Sequence, residues 1–190
     1  MADLGIVAFG FLLRVPGELL PLESGSGRTE FDRALHHSQC YFSPGTAWIR
    51  LASRKNAPAG CTLHVDCSCS TQPALCAACA LRRLCSLTHE GRITHLSYAT
   101  FLRRMRRALS PFMPYREAIR FATHAFRRGG AQAIWDSTHD LGRVLAAGGW
   151  VSSAFLRYLQ RAGHDPHSAP DLEALAVFAR DSSPEPHPQI

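Results

Sequence analysis

Residues 4–13 are apolar almost without interruption, and a segment apolar on every side predicts a helix buried all round. Pro16, suited to a first helical turn, predicts a second short helix containing Glu18, Leu19 and Leu20. Residues 22–28 read as loop. Strand-type runs follow at 39–42, 47–52 and 61–65, and the turn residues Asn56-Ala57-Pro58-Ala59-Gly60 join the last two into a hairpin. Residues 66–86 form a cysteine-rich insert with no clear period. From Thr94 onward the spacing becomes helical, with Tyr98, Phe101, Leu102, Met105 and Leu109 on one face, closed by Pro111 and Pro114. A helix capped by Thr123 is expected to reach about Ser137, and another over 140–147 to stop at Gly148 and Gly149. Ser152 or Ser153 can cap a helix carrying Phe155, Tyr158 and Leu159. A last helix over 171–180 precedes the Pro/Ser-rich tail 181–190, expected to be disordered. The predicted fold class is α+β, mainly α, with a small antiparallel sheet between helices.

Composition narrows this to a folded chain with a polyanionic partner. With 46% hydrophobic and 19% charged positions in 190 residues, one domain with a real core is expected and a tandem multidomain enzyme is not. A mean hydropathy of −0.09 excludes a chain dominated by membrane spans. The apolar start is not a signal peptide, because Asp3 precedes it and Arg14 ends it. No membrane association is expected. Lys+Arg of 21 against Asp+Glu of 15 leaves a charge of +6, carried nearly all by arginine, the forked donor suited to phosphate. Seven cysteines is an odd number, and without a secretory signal they read as thiols or metal ligands in a nuclear or cytoplasmic protein.

The most informative segment is Thr123-His124-Ala125-Phe126-Arg127-Arg128-Gly129-Gly130, followed by Gly149-Trp150 and then Arg157-Tyr158. Upstream, Leu13-Arg14-Val15-Pro16-Gly17-Glu18-Leu19 precedes Ser53-Arg54-Lys55-Asn56, which falls at the expected hairpin turn. Together these pieces resemble the catalytic domain of the tyrosine recombinase (phage integrase) family, most closely its eukaryotic transposon-type members. That family carries an Arg in a Leu-Arg-x-x-Glu-Leu setting, a hairpin Lys, a His-x-x-Arg, a His or Trp, and a nucleophilic Tyr, in that order. The chain departs from the first motif by one extra residue before the Glu. The resemblance covers about residues 4–160, and residues 1–180 are expected to form the catalytic domain, without the family's usual N-terminal DNA-clamping domain.

The resemblance implies DNA recombination or integration, by strand cleavage and rejoining through a 3′-phosphotyrosyl intermediate. Arg14 and Arg127 would clamp the scissile phosphate, because fixed bidentate donors neutralise charge developing on two non-bridging oxygens. His124, three residues before Arg127, lies on the same helix face and can exchange a proton or donate a hydrogen bond there. Trp150 would orient the phosphate through its indole N–H. Lys55 would protonate the leaving 5′ oxygen, and Tyr158 would attack phosphorus. No cofactor is required for this chemistry. Double-stranded DNA is the implied partner, with assembly of several copies on DNA as an option. Type IB topoisomerases share the catalytic set.

Two further clusters stand beside these residues. Cys67, Cys69, Cys76 and Cys79 can satisfy a structural zinc ion, or they can be reduced thiols within an insertion. Arg103, Arg104, Arg106 and Arg107, with Arg128, read either as solvated faces or as DNA-backbone contacts. The competing functional reading is a catalytically inactive DNA-binding relic with a zinc-stabilised insert.

Overall fold

The computed structural model describes residues 1–21 and 34–151. It is mainly helical with one three-stranded antiparallel sheet, and it divides into two units, Met1–Gly130 and Ala131–Ile190. Helix α1, Ala2–Gly10, opens the first unit and buries Leu4, Val7 and Ala8, as the unbroken apolar run requires. Strands β1 (Cys40–Ser43), β2 (Thr46–Leu51) and β3 (Cys61–Asp66) pair in sequence order. Ala47, Ile49 and Leu51 of β2 all point into the core and face Val65, Leu63 and Cys61 of β3. Trp48 and Arg50 turn to the other face, which is the alternation a half-buried strand imposes.

The short helix expected after Pro16 does not form. Val15–Leu19 is a wide turn in which Pro16 is extended (ψ 125°) and Gly17 takes φ 92°, a left-handed value that glycine adopts at little cost. The segment read as a patternless insert is half core. Its second part is helix α2, Ala77–Ser86, which buries Ala77, Ala78, Ala80, Leu81, Leu84 and Cys85 and packs on α1 and β2. Alanine and cysteine make up most of that face, so the usual signal from large aliphatic residues is weak. A Cβ at Gly10 would lie 2.3 Å from the Ala77 Cβ, so α1 and α2 meet almost backbone to backbone.

Helix α3, Tyr98–Leu109, begins at Ser97, whose hydroxyl accepts from the Thr100 amide at 3.2 Å. It buries Phe101 and Met105, the middle of the expected stripe. After Pro111 and Pro114 comes one further turn, α4 (Tyr115–Ala118), which the sequence pattern did not predict. Helix α5, His124–Thr138, starts directly after Thr123 and continues into the second unit. There α6, Leu141–Gly148, is capped by Asp140, whose carboxylate accepts from the Arg143 amide at 3.1 Å, and is terminated by Gly149 in a left-handed conformation. The helices expected beyond Ser152 and the tail lie outside the described residues. No helix among the described residues is long and apolar enough to cross a membrane.

Candidate active site and metal centre

The turn that follows α1 gathers the charged residues. Leu13 N–H closes the helix on Ala8 O, and Leu12 takes φ +50°, an uncommon backbone conformation for a residue with a Cβ. Its carbonyl oxygen accepts from Arg54 Nη2 at 2.9 Å and from Arg127 Nη1 at 2.8 Å. These donors come from the hairpin and from α5, the latter 115 positions away in the chain. Arg14 lies two residues on. Its amide donates to Glu18 Oε2 at 2.7 Å and its Nη1 to Glu18 Oε1 at 3.0 Å. Glu18 Oε1 also accepts from Arg54 Nε at 3.2 Å.

Gly17 at positive φ turns the chain back, the amides of Glu18 and Leu19 both donate to Arg14 O, and the carboxylate returns to its arginine. Two arginines share this one carboxylate and a third is joined to the same turn through Leu12, so the centre is electropositive. Arg14 keeps 28% of its side chain exposed, whereas Arg54 keeps 2%. Arg127 is also buried.

Of the residues expected from sequence, Arg127 donates to Leu12 O, and Arg14, two residues on, pairs with Glu18. Lys55, the single lysine of the chain, is exposed beside Arg54; the Arg54–Glu18 pair ties its hairpin to that turn. His124 is exposed on α5 one turn before Arg127, and Arg128 is exposed beside it. Trp150 belongs to the second unit, where it is buried with its ring over Gly148. Tyr158 lies outside the described residues.

Arg54 is the residue that sequence reasoning missed. Lys55 next to it matched the family pattern and drew the assignment. A usable signal did exist: Glu18 between Gly17 and Leu19-Leu20, if buried, needs cationic partners. Arg103, Arg104 and Arg107 are exposed along α3, as a DNA-facing or solvated surface requires. Arg106 departs from that expectation, being half-buried with its Nε donating to Phe121 O at 3.1 Å. The helical register turns it toward the chain between α4 and α5, where it acts as a tie.

Comparison with protein-family models, with curated proteins and with solved structures finds no match.

The second cluster lies where β3 leads into α2. Cys67 follows β3, with its amide on Gly45 O at 2.6 Å, and Cys76 occupies the N-cap of α2, one turn before Cys79. The sulfurs of Cys67, Cys69, Cys76 and Cys79 all lie within 4.8 Å of one another. Individual Sγ separations are 3.8 Å for Cys67–Cys79, 3.2 Å for Cys69–Cys79 and 3.6 Å for Cys67–Cys76. Four such thiols can bind a metal such as zinc. Burial opposes ionisation of Cys76, but the amides of Cys79 and Ser68, together with the neighbouring thiols, outweigh it and bring its pKa down to about 6. Cys69, hydrogen-bonded to Cys79, is pushed the other way. The remaining cysteines stand apart from this cluster. The Cys40 thiol is raised by its contact with Cys85 and by burial, and Cys61 is raised by burial.

Proposed function

We propose that this chain cleaves and rejoins DNA through a 3′-phosphotyrosyl intermediate, as a tyrosine recombinase-type enzyme. The observation that supports this reading most is that Arg127 is bonded to Leu12 O, two residues before Arg14, while Arg54 fastens the Lys55 hairpin to the same Leu12–Glu18 turn. Arg14 is the guanidinium that a phosphate can reach directly, and Glu18 holds its orientation. Arg127, buried, donates to Leu12 O, and would contact phosphate itself by turning its guanidinium from that oxygen.

In the reaction, the Tyr158 phenolate oxygen bonds to phosphorus as the bond to the 5′ oxygen breaks. Lys55 gives its proton to that leaving oxygen, and His124 exchanges a proton or donates a hydrogen bond at the phosphate. A 5′ hydroxyl reverses the step by attacking the phosphotyrosine, which restores the phosphodiester and frees the tyrosine. Charge neutralisation by fixed arginines is the main catalytic term. The exposed Arg103, Arg104, Arg107 and Arg128 would contact the DNA backbone without choosing sequence.

The burial of Arg127 also favours a second reading, a DNA-binding relic that has kept these arginines for its fold. A nicked suicide duplex separates the two. The recombinase-type enzyme gives a covalent protein–DNA adduct on a denaturing gel, absent in Tyr158→Phe although that variant still binds DNA. Arg14→Ala should slow adduct formation by about 10²–10³-fold. Salt-sensitive binding with no adduct from the unmodified chain would support the relic.

A further inference from the structure

We propose that Cys67, Cys69, Cys76 and Cys79 hold one zinc ion as a structural tetrathiolate, and that this ion sets the α1–α2 contact that leads into the arginine-bearing turn. The inference is independent of the DNA reading. Four sulfurs about 2.3 Å from one tetrahedral ion lie about 3.8 Å apart. Three of the six Sγ separations, 3.2, 3.6 and 3.8 Å, lie at or below that edge and all lie within 4.8 Å, and none of the four cysteines is in a disulfide bond. A donor set made only of thiolates at tetrahedral spacing selects zinc, or iron with sulfide, over harder ions.

The connection itself needs such a tie. Between β3 and α2 the chain runs Cys67-Ser68-Cys69-Ser70-Thr71-Gln72, with only the single turn Pro73–Leu75 before Cys76. These six residues have no large apolar side chain to anchor them and are mostly exposed. One ion joining both ends of the segment replaces the missing core. Zinc binding by structural sites of this kind contributes folding free energy outright.

The effect reaches the arginines through contacts already described. Cys76 is buried and is followed by Ala77, the residue packed on the backbone of Gly10. Two residues beyond Gly10 stands Leu12, whose carbonyl receives Arg54 and Arg127. Cys76 thus connects the metal to the end of α1, and α1 leads into the turn holding Arg14.

The test uses the full chain purified under reducing conditions. Elemental analysis should give about one zinc per chain, and cobalt exchanged into the site should show the strong ligand-field and thiolate charge-transfer bands of a tetrahedral centre. Cys69→Ser, at an exposed ligand, should lower zinc occupancy at limiting metal, whereas Cys61→Ser, outside the cluster, should leave it unchanged. Chelation should lower the melting temperature and speed hydrogen exchange at the amides of residues 11–14. Less than about half an equivalent of zinc after reconstitution, with the exposed thiols of Cys67 and Cys69 titrating freely in the native protein, would overturn the metal site. Full zinc occupancy with unchanged exchange at residues 11–14 after chelation would overturn its link to the arginines.

Discussion

Replacing Glu18 by alanine is expected to destabilise the Met1–Gly130 unit by about 3–5 kcal/mol, the loss typical of breaking a buried ion pair from one side. Glu18 is buried and accepts from three donors, the Arg14 amide, Arg14 Nη1 and Arg54 Nε. Arg14 is partly exposed and can turn to water. Arg54 cannot: its side chain is 2% exposed, and the substitution removes the carboxylate that its Nε contacts. Glu18→Gln retains an acceptor oxygen of similar shape and should lose less, although it sets an NH₂ donor against a guanidinium. Urea unfolding followed by circular dichroism measures both variants. A loss under about 1 kcal/mol for Glu18→Ala would mean that Arg54 finds other compensation, and that the carboxylate does not organise the cluster.

Gly130→Ala should be the second large effect, with a net loss of up to about 2 kcal/mol. Two terms oppose each other here. Alanine gains about 0.8–1.0 kcal/mol over glycine within a helix, and Gly130 lies inside α5. Against this, the new methyl would come 2.3 Å from the carbonyl oxygen of Phe9 and 3.3 Å from Leu12 Cδ1. A backbone oxygen cannot rotate away, so α1 or α5 must shift, and overpacking of this kind costs about 1–3 kcal/mol or more. The shift would also strain the Arg127–Leu12 bond. Gly129→Ala is the internal comparison: its Cβ would meet the Phe9 ring at 3.0 Å, a side chain able to turn, so its loss should be clearly smaller. Equal urea midpoints for the two variants would contradict the proposed role of the Phe9 carbonyl.

These two glycines illustrate how far local pattern reaches. The Phe-Arg-Arg-Gly-Gly segment is plain in the sequence, but nothing local distinguishes the glycine that lies against a backbone oxygen from the one beside a movable ring. That difference arises only where α1 crosses α5.

Elements whose stability rests on local periodicity were legible from the chain alone. The apolar run of α1, the stripe of α3, the start of α5, the glycine stop of α6, and the β2–β3 hairpin all follow from spacing and turn residues. The four cysteines of the second cluster were equally legible, because thiol chemistry belongs to the residue and not to its surroundings. Helix α2 was hidden because its buried face is built mainly of alanine and cysteine, residues whose burial depends on a neighbour coming close enough, as α1 does at Gly10. The Val15–Leu19 turn was misread as helix because Pro16 and Gly17 permit both outcomes, and the pull of Glu18 toward Arg14 and Arg54 selects the turn. Only the tertiary structure turned Leu12 to positive φ, buried Arg54 while leaving Lys55 exposed, and drew Arg127 to the same carbonyl. The physical reason is shared by all three: a guanidinium is buried only where distant segments supply its acceptors, and no single stretch of this chain holds them all.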